Sequence, residues 1–267
     1  MPDDNIKGAV QRQFANVAAN YRKSKVHAAG ADLDTMVEAA ALTGAERVLD
    51  AGSGAGHTAL AFAPHVAEVI ACDMTPPMLE QVMLLAQERG VDNVGTRAGD
   101  VENLPFADDS FDRVVSRYSA HHWPHPDNAL REFERVLKPG GMLLISDIVA
   151  AESPVEDTFL QTIEFLRDSS HVRDHRVSEW HRMFRRNNFK PDVRLTWSLR
   201  LEFVAWVERM ATPETHRSAL RALFAGLPDD LRAAFQVESD ANGVTAFYIP
   251  GALVVGSPVD TNPVEIM

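Results

Sequence analysis

Five short apolar runs punctuate the first 150 residues, at 46–51 (ERVLDA), 67–72 (AEVIAC), 93–97, 111–117 (FDRVVSR) and 142–150 (MLLISDIVA). Each is bounded and too short for a buried helix, so each reads as an interior strand. Helical stretches lie among them. TPPMLEQVMLLAQERG has Thr75 in the N-cap position, Pro76 at the first helical residue and Gly90 just past the end. A second helix is expected over roughly 126–137, stopped by LKPGG. A third covers 29–43, where Leu33, Met36, Val37, Ala40 and Ala41 share one face before Gly44. Strands alternating with helices predict a parallel sheet covered on both faces.

After residue 150 the rhythm breaks. Residues 152–188 are polar and helical in tendency, 193–201 read as a strand, 202–235 as two or three helices and 245–256 as a closing strand. A length of 267 residues suits one large domain with an elaborated cap. Composition narrows the partners. A formal net charge of −12 repels phosphate backbones, so nucleic acid is disfavoured. No run of about 18 apolar residues and no apolar leader is present, so neither membrane insertion nor export is expected. The single cysteine, Cys72, cannot form an internal disulfide. The expectation is a cytoplasmic protein acting on a small molecule, with a homodimer left open.

VLDAGSGAG places Gly52, Gly54 and Gly56 at alternate positions where the first strand ends. In a parallel sheet, ligands bind beyond the carboxyl ends of the strands, and glycines there let a ligand touch the backbone. A tight strand-to-helix turn needs the same residues. The spacing is not the G-x-G-x-x-G of dinucleotide binders, and the preceding Asp50 would crowd a pyrophosphate but suit a cation. Asp73 ends the second strand, where a carboxylate can accept both hydroxyls of a ribose or simply sit in solvent. Asp100, in AGDVENLPF, follows the third strand, where an adenine amino group would need an acceptor.

VLDAGSGAG, Asp73, GDVENLPFADDSFD and RVLKPGGMLLISD together resemble the class I S-adenosylmethionine-dependent methyltransferases, in the group of the ubiquinone and menaquinone C-methyltransferases. FANVAANYRKSKVHAAGADL and SRYSAHHWPHP look like a subgroup of small bacterial members. The resemblance implies an α/β fold: a Rossmann-like, doubly wound, seven-stranded sheet, mostly parallel with its last strand antiparallel, plus a helical cap. It implies a single methyltransferase domain divided into N-terminal cofactor-covering helices (1–45), a cofactor-binding core (46–150), a helical cap with the sixth strand (151–235), a closing strand (236–256) and a loose tail (257–267). Gly52, Gly54 and Gly56 would approach the methionine portion of S-adenosylmethionine, Asp50 its amino group and Asp73 its ribose. Asp100 and the Val101 backbone would take the adenine. Tyr21, Met74 and Arg117 complete the expected cofactor contacts.

Methyl transfer from a sulfonium is an in-line displacement that needs alignment, exclusion of water and often removal of a proton. SRYSAHHWPH follows the fourth strand, where the nucleophile should sit. His121 is the expected base and Arg117 its phenolate-stabilising partner, with His27 as a second base candidate. Packing against the next helix is the competing role for both His121 and His122. A metal is not expected, because adjacent histidines diverge and no cysteine accompanies them. The acceptor is expected to be phenolic or quinone-like, methylated on carbon or oxygen. The alternatives are a protein that binds S-adenosylmethionine without transferring its methyl group and, further off, an NAD-type oxidoreductase.

Overall fold

The computed structural model describes residues 5–22, 24 and 28–259. The expected strands form at β1 (Arg47–Ala51), β2 (Glu68–Asp73), β3 (Val94–Ala98), β4 (Phe111–Arg117) and β5 (Leu137–Ile148). They are joined by β6 (Phe189–Glu202), β7 (Glu238–Asp240) and β8 (Gly243–Pro258). The sheet runs in the order β3-β2-β1-β4-β5-β8-β6, with the short β7 paired to β8 alone. Pairing is parallel from β3 to β5, and β8 lies antiparallel to both β5 and β6. This is the expected seven-stranded path with its last strand reversed, and β7 adds an eighth strand as one arm of the final hairpin. LKPGG, expected as a turn, lies inside β5: Leu137 pairs with Phe111, and the register then shifts before Arg113 meets Met142.

Helices flank the sheet: α1 (Ile6–Arg22), α2 (Ala31–Ala39), α3 (His57–Phe62), α4 (Pro76–Arg89), α5 (Pro126–Val136), α6 (Pro154–Arg167) and α7 (Val177–Arg186). After β6 come α8 (Phe203–Arg209), α9 (Glu214–Ala225) and α10 (Asp229–Ala234). α4 starts and stops where the sequence signals lie, with Thr75 extended at the N-cap and Gly90 left-handed at the C-cap (φ 65°). None of the helices described is long and apolar enough to cross a membrane.

Neighbouring strand residues point to opposite faces, and the core divides accordingly. Leu49, Val114, Leu143 and Ile145 pack against α5 and α7 through Phe133, Trp180 and Phe184. Val48, Val115 and Leu144 pack against α2, α3 and α4 through Met36, Phe62 and Val82. A third cluster joins α6, α8, α9 and α10 to the far ends of β6 and β8, through Phe159, Leu201, Trp206, Phe224 and Phe247. β6 and β8 pair from Phe189↔Pro258 to Glu202↔Ala246, whereas β5 meets β8 only from Leu143↔Gly256 to Ile148↔Gly251. The β6–β8 ribbon therefore overhangs the carboxyl edge of the sheet, and the cap helices sit on the overhang.

Candidate active site

A cavity of about 910 Å³ opens at the carboxyl ends of β1, β2 and β4. The chain leaves β1 through Gly52 and Gly54, both at positive φ (69° and 50°). A Cβ on Gly52 would collide with Ser119 Oγ, whereas one on Gly54 would project into open space. Bare backbone thus forms this wall. Gly54 N–H donates to Asp73 Oδ2 and Thr75 N–H to Asp73 Oδ1, each at 2.8 Å. Burial raises the Asp73 pKa against these two donors. Glu102 N–H donates to Asp100 Oδ1 at 2.9 Å, and Lys7 Nζ reaches both Asp100 Oδ2 and Glu102 Oε2 at 2.6 Å. Met74 and Val101 also line this space.

α1 closes the cavity from outside. Gln11 Nε2 donates to the Met74 carbonyl at 2.7 Å, and Phe14 meets His122 edge-to-face at 4.8 Å. The Tyr21 hydroxyl lies 3.1 Å from Met210 Sδ, and the Tyr21 carbonyl takes up His57 Nε2 at 3.0 Å. Three buried polar atoms at this site have no partner among the described residues: Ser53 Oγ and His57 Nδ1 in the wall, and Asp50 Oδ1 just behind it. Ala59 N–H holds Asp50 Oδ2 at 2.9 Å; burial and the nearby Asp73 push the Asp50 pKa up to about 7.

A second cavity, of about 480 Å³, lies under the overhang. Tyr21 and Tyr118 line both cavities, so the two meet at these rings. Tyr118 sits just past β4 with φ 51°, a conformation a bulky side chain seldom adopts. The sharp turn aims the next two N–H groups at Asp147: Ser119 and Ala120 donate to Oδ2 at 3.0 and 2.7 Å. His121 Nδ1 donates to Asp147 Oδ1 at 2.7 Å, and Ile148 N–H also donates there at 2.8 Å. Burial alone would lower the His121 pKa; Asp147, with Asp174 and Glu164, outweighs it and takes it up to about 9. His121 is therefore an imidazolium at neutral pH. His122, held through Nδ1 by the Ser170 carbonyl at 3.1 Å, is driven the other way by burial and by the His121 charge.

The structure separates two residues that sequence reasoning paired. His121 faces the second cavity, whereas Arg117 lines the first and grips Asp32 of α2, Nε to Oδ2 at 2.6 Å and Nη2 to Oδ1 at 3.1 Å. Gly52, Gly54, Asp73, Met74, Asp100, Val101 and Tyr21 converge on the larger cavity. Gly56 does not line it; it caps α3 and packs against Val82. His27 lies outside the described residues. His121, Asp147 and Asp174 also offer ligand atoms within 4.8 Å of one another, although Asp147 already accepts four hydrogen bonds. Lys7, Phe14, His57, Arg167 and Arg209 line the two cavities without having been expected there. They lie on helices whose periodicity says nothing about function.

Glycine backbone at the acid-tipped end of a parallel sheet, roofed by an N-terminal helix and joined to a second cavity, is the arrangement expected of a class I methyltransferase. A family model described as a methyltransferase domain matches residues 49–145. The uncharacterized methyltransferase YcgJ of Bacillus subtilis is 40% identical over 242 residues, 91% of this chain and 96% of that protein. Its crystal structure superposes with a TM-score of 0.83 at 39% identity, covering 86% of this chain and 98% of that one. The ubiquinone/menaquinone biosynthesis C-methyltransferase UbiE of Dinoroseobacter shibae is 32% identical over 160 residues, 57% of this chain and 64% of that protein. The chain belongs to the S-adenosylmethionine-dependent methyltransferases of the UbiE-like group.

Proposed function

We propose that the chain methylates a phenolic or quinone-like small molecule, binding S-adenosylmethionine in the larger cavity and the acceptor in the smaller. The observation that supports this most directly is the shared wall: Tyr21 and Tyr118 border both spaces, so donor and acceptor would meet there. The residues suit the cofactor. The open space over Gly54 and the unpartnered Ser53 Oγ leave room and a polar contact for a ligand. Asp73, each oxygen fixed by one backbone N–H, would accept from the ribose hydroxyls, and Asp100 with the Val101 backbone would take the adenine. Related folds bind this molecule: a geranyl diphosphate methyltransferase in complex with SAM shares the fold at a TM-score of 0.57.

When bound, S-adenosylmethionine supplies an electrophilic methyl group on a sulfonium sulfur. The chain contributes orientation and a dry site. Residues 46–150 act as the cofactor-binding core and 151–235 as the cap over the acceptor. His121, kept protonated by Asp147, donates from Nε2 to the acceptor oxygen and stabilises it as an anion. In this reading the imidazolium lowers the phenol's pKa rather than acting as the base, and the phenol proton would leave to solvent. The phenolate oxygen or ring carbon would take the methyl group as the carbon–sulfur bond breaks and leaves S-adenosylhomocysteine, a methylated ring carbon then losing its own proton to solvent. Arg117 serves at the cofactor side through its pairing with α2.

The test is calorimetry with S-adenosylhomocysteine, followed by transfer of labelled methyl groups to a panel of phenols and hydroquinones. We expect micromolar-range binding and transfer to at least one panel member. Binding without transfer to any acceptor would favour the non-methylating alternative, and absence of binding would overturn both.

A further inference from the structure

One cation in the wall of the acceptor cavity has no anionic partner in contact with it. Arg167 is anchored: its Nη1 reaches Glu164 Oε2 at 3.3 Å, its Nε donates to the Trp206 carbonyl at 3.2 Å, and its guanidinium lies over the Trp206 ring at 5.3 Å. His121 is matched by Asp147. Arg209, at the end of α8, is anchored by neither kind of contact. It lines the cavity, its Nε is buried without a hydrogen-bond partner, and no carboxylate of the described residues lies within ion-pair distance. Asp174, the remaining acid in the wall, lies near His121 and 3.8 Å from His171 Nε2, and it makes no ion pair with Arg209. Burial and the neighbouring Arg167 cation bring the Arg209 pKa down to about 10, which still leaves it charged at neutral pH. A partly buried guanidinium without a partner is costly, and an incoming anion relieves that cost. The opposite walls are apolar: Ile148, Leu199, Leu201 and Ile249.

We infer that the acceptor carries a carboxylate on an apolar body, and that Arg209 seats this carboxylate while His121 addresses the oxygen or ring to be methylated. A monoanion fits better than a phosphate dianion, because Glu164 lies in the same wall and one guanidinium is left over. The planar fork of Arg209 can grip a carboxylate through two parallel N–H donors. The inference rests on the methyltransferase reading only in calling the ligand an acceptor.

The experiment compares 3-phenylpropionate with its uncharged isostere 3-phenyl-1-propanol and with 2-phenylethylphosphonate, by calorimetry on the protein alone and loaded with S-adenosylhomocysteine. We expect the carboxylate to bind about tenfold or more tighter than the alcohol, and tighter than the phosphonate. In Arg209→Met the gap should shrink to about threefold or less, and in Arg209→Lys part of it should return. Equal affinity for acid and alcohol, failure of both to bind, or a preference untouched in folded Arg209→Met would overturn the inference. A phosphonate that binds tightest would overturn the choice of carboxylate. The wild-type comparison needs no variant to fold. S-adenosylhomocysteine binding is read separately, so a failed cofactor titration beside an intact acid preference would point at the methyltransferase reading alone.

Discussion

At the scale of single residues, the decisive pair is His121 and Asp147. The sign of its pH dependence follows from the raised histidine pKa. Below pH 6.5 the imidazole is protonated whether the chain is folded or not, so the ion pair contributes fully; the contribution is lost as pH rises through about 9. An NMR titration should place the His121 midpoint near 9, and in Asp147→Asn it should fall well below that, since burial is then opposed only by Asp174 and Glu164. With an acceptor in hand, the turnover of the wild type should decline above about pH 9 rather than below 6.5; a His121 that titrates below 7 in the wild type would remove the imidazolium from the proposal. Asp73 gives a second prediction. Its replacement by Ala removes the expected ribose acceptor and strands the Gly54 and Thr75 N–H groups, so S-adenosylhomocysteine affinity should drop by about tenfold or more in calorimetry. Asp73 was legible in the sequence, since it terminates an apolar run. The state of His121 was not: its partner arrives from β5, and only folding brings a carboxylate to Nδ1.

At the scale of elements, two kinds of contact decide where the helices around the cavity sit. α2 is held to the end of β4 by Arg117 and Asp32, whose side chains are nearly inaccessible (2% and 6% exposed). Removing one partner leaves a buried charge, so Asp32→Ala should cost about 3–5 kcal/mol, measured by denaturant unfolding. A loss below about 1 kcal/mol would mean that solvent reaches the pair. α1 is held instead by scattered polar tethers, Lys7 to Asp100 and Gln11 to Met74, which give no periodic signal. That difference explains what could be read in advance. β1 to β5 and α4 declare themselves because burial on both faces imposes apolar runs, and because Thr75, Pro76 and Gly90 satisfy local backbone geometry. The LKPGG segment misleads because its glycines and proline suit a turn, yet β4 offers Phe111 as a pairing partner for Leu137. The pairing expected between Arg117 and His121 assumed one continuing helical turn. Tyr118, at positive φ, breaks the backbone between them and sends the two side chains to different cavities.

At the scale of the whole molecule, the cap has a core of its own. Phe159, only 7% exposed, packs edge-to-face on Phe224 and Phe235, away from the clusters that hold β1 to β5. Phe159→Ala should therefore cost about 3–5 kcal/mol locally. Hydrogen exchange should rise across 154–235 while β1 and β2 stay protected, and uniform loss of protection would show that cap and sheet unfold as one. The overhanging ribbon bears on the molecule's history. Glu202 and Ala246 are paired neighbours, and all of α8, α9, α10 and β7 lies in the chain between them. Both ends of that stretch return to a single rung of the ladder. An insertion so placed can lengthen, shorten or change its composition without altering the register of any strand that carries the cofactor loops. A chain built this way can swap the segment like an interchangeable part and leave β1 to β5 as they are.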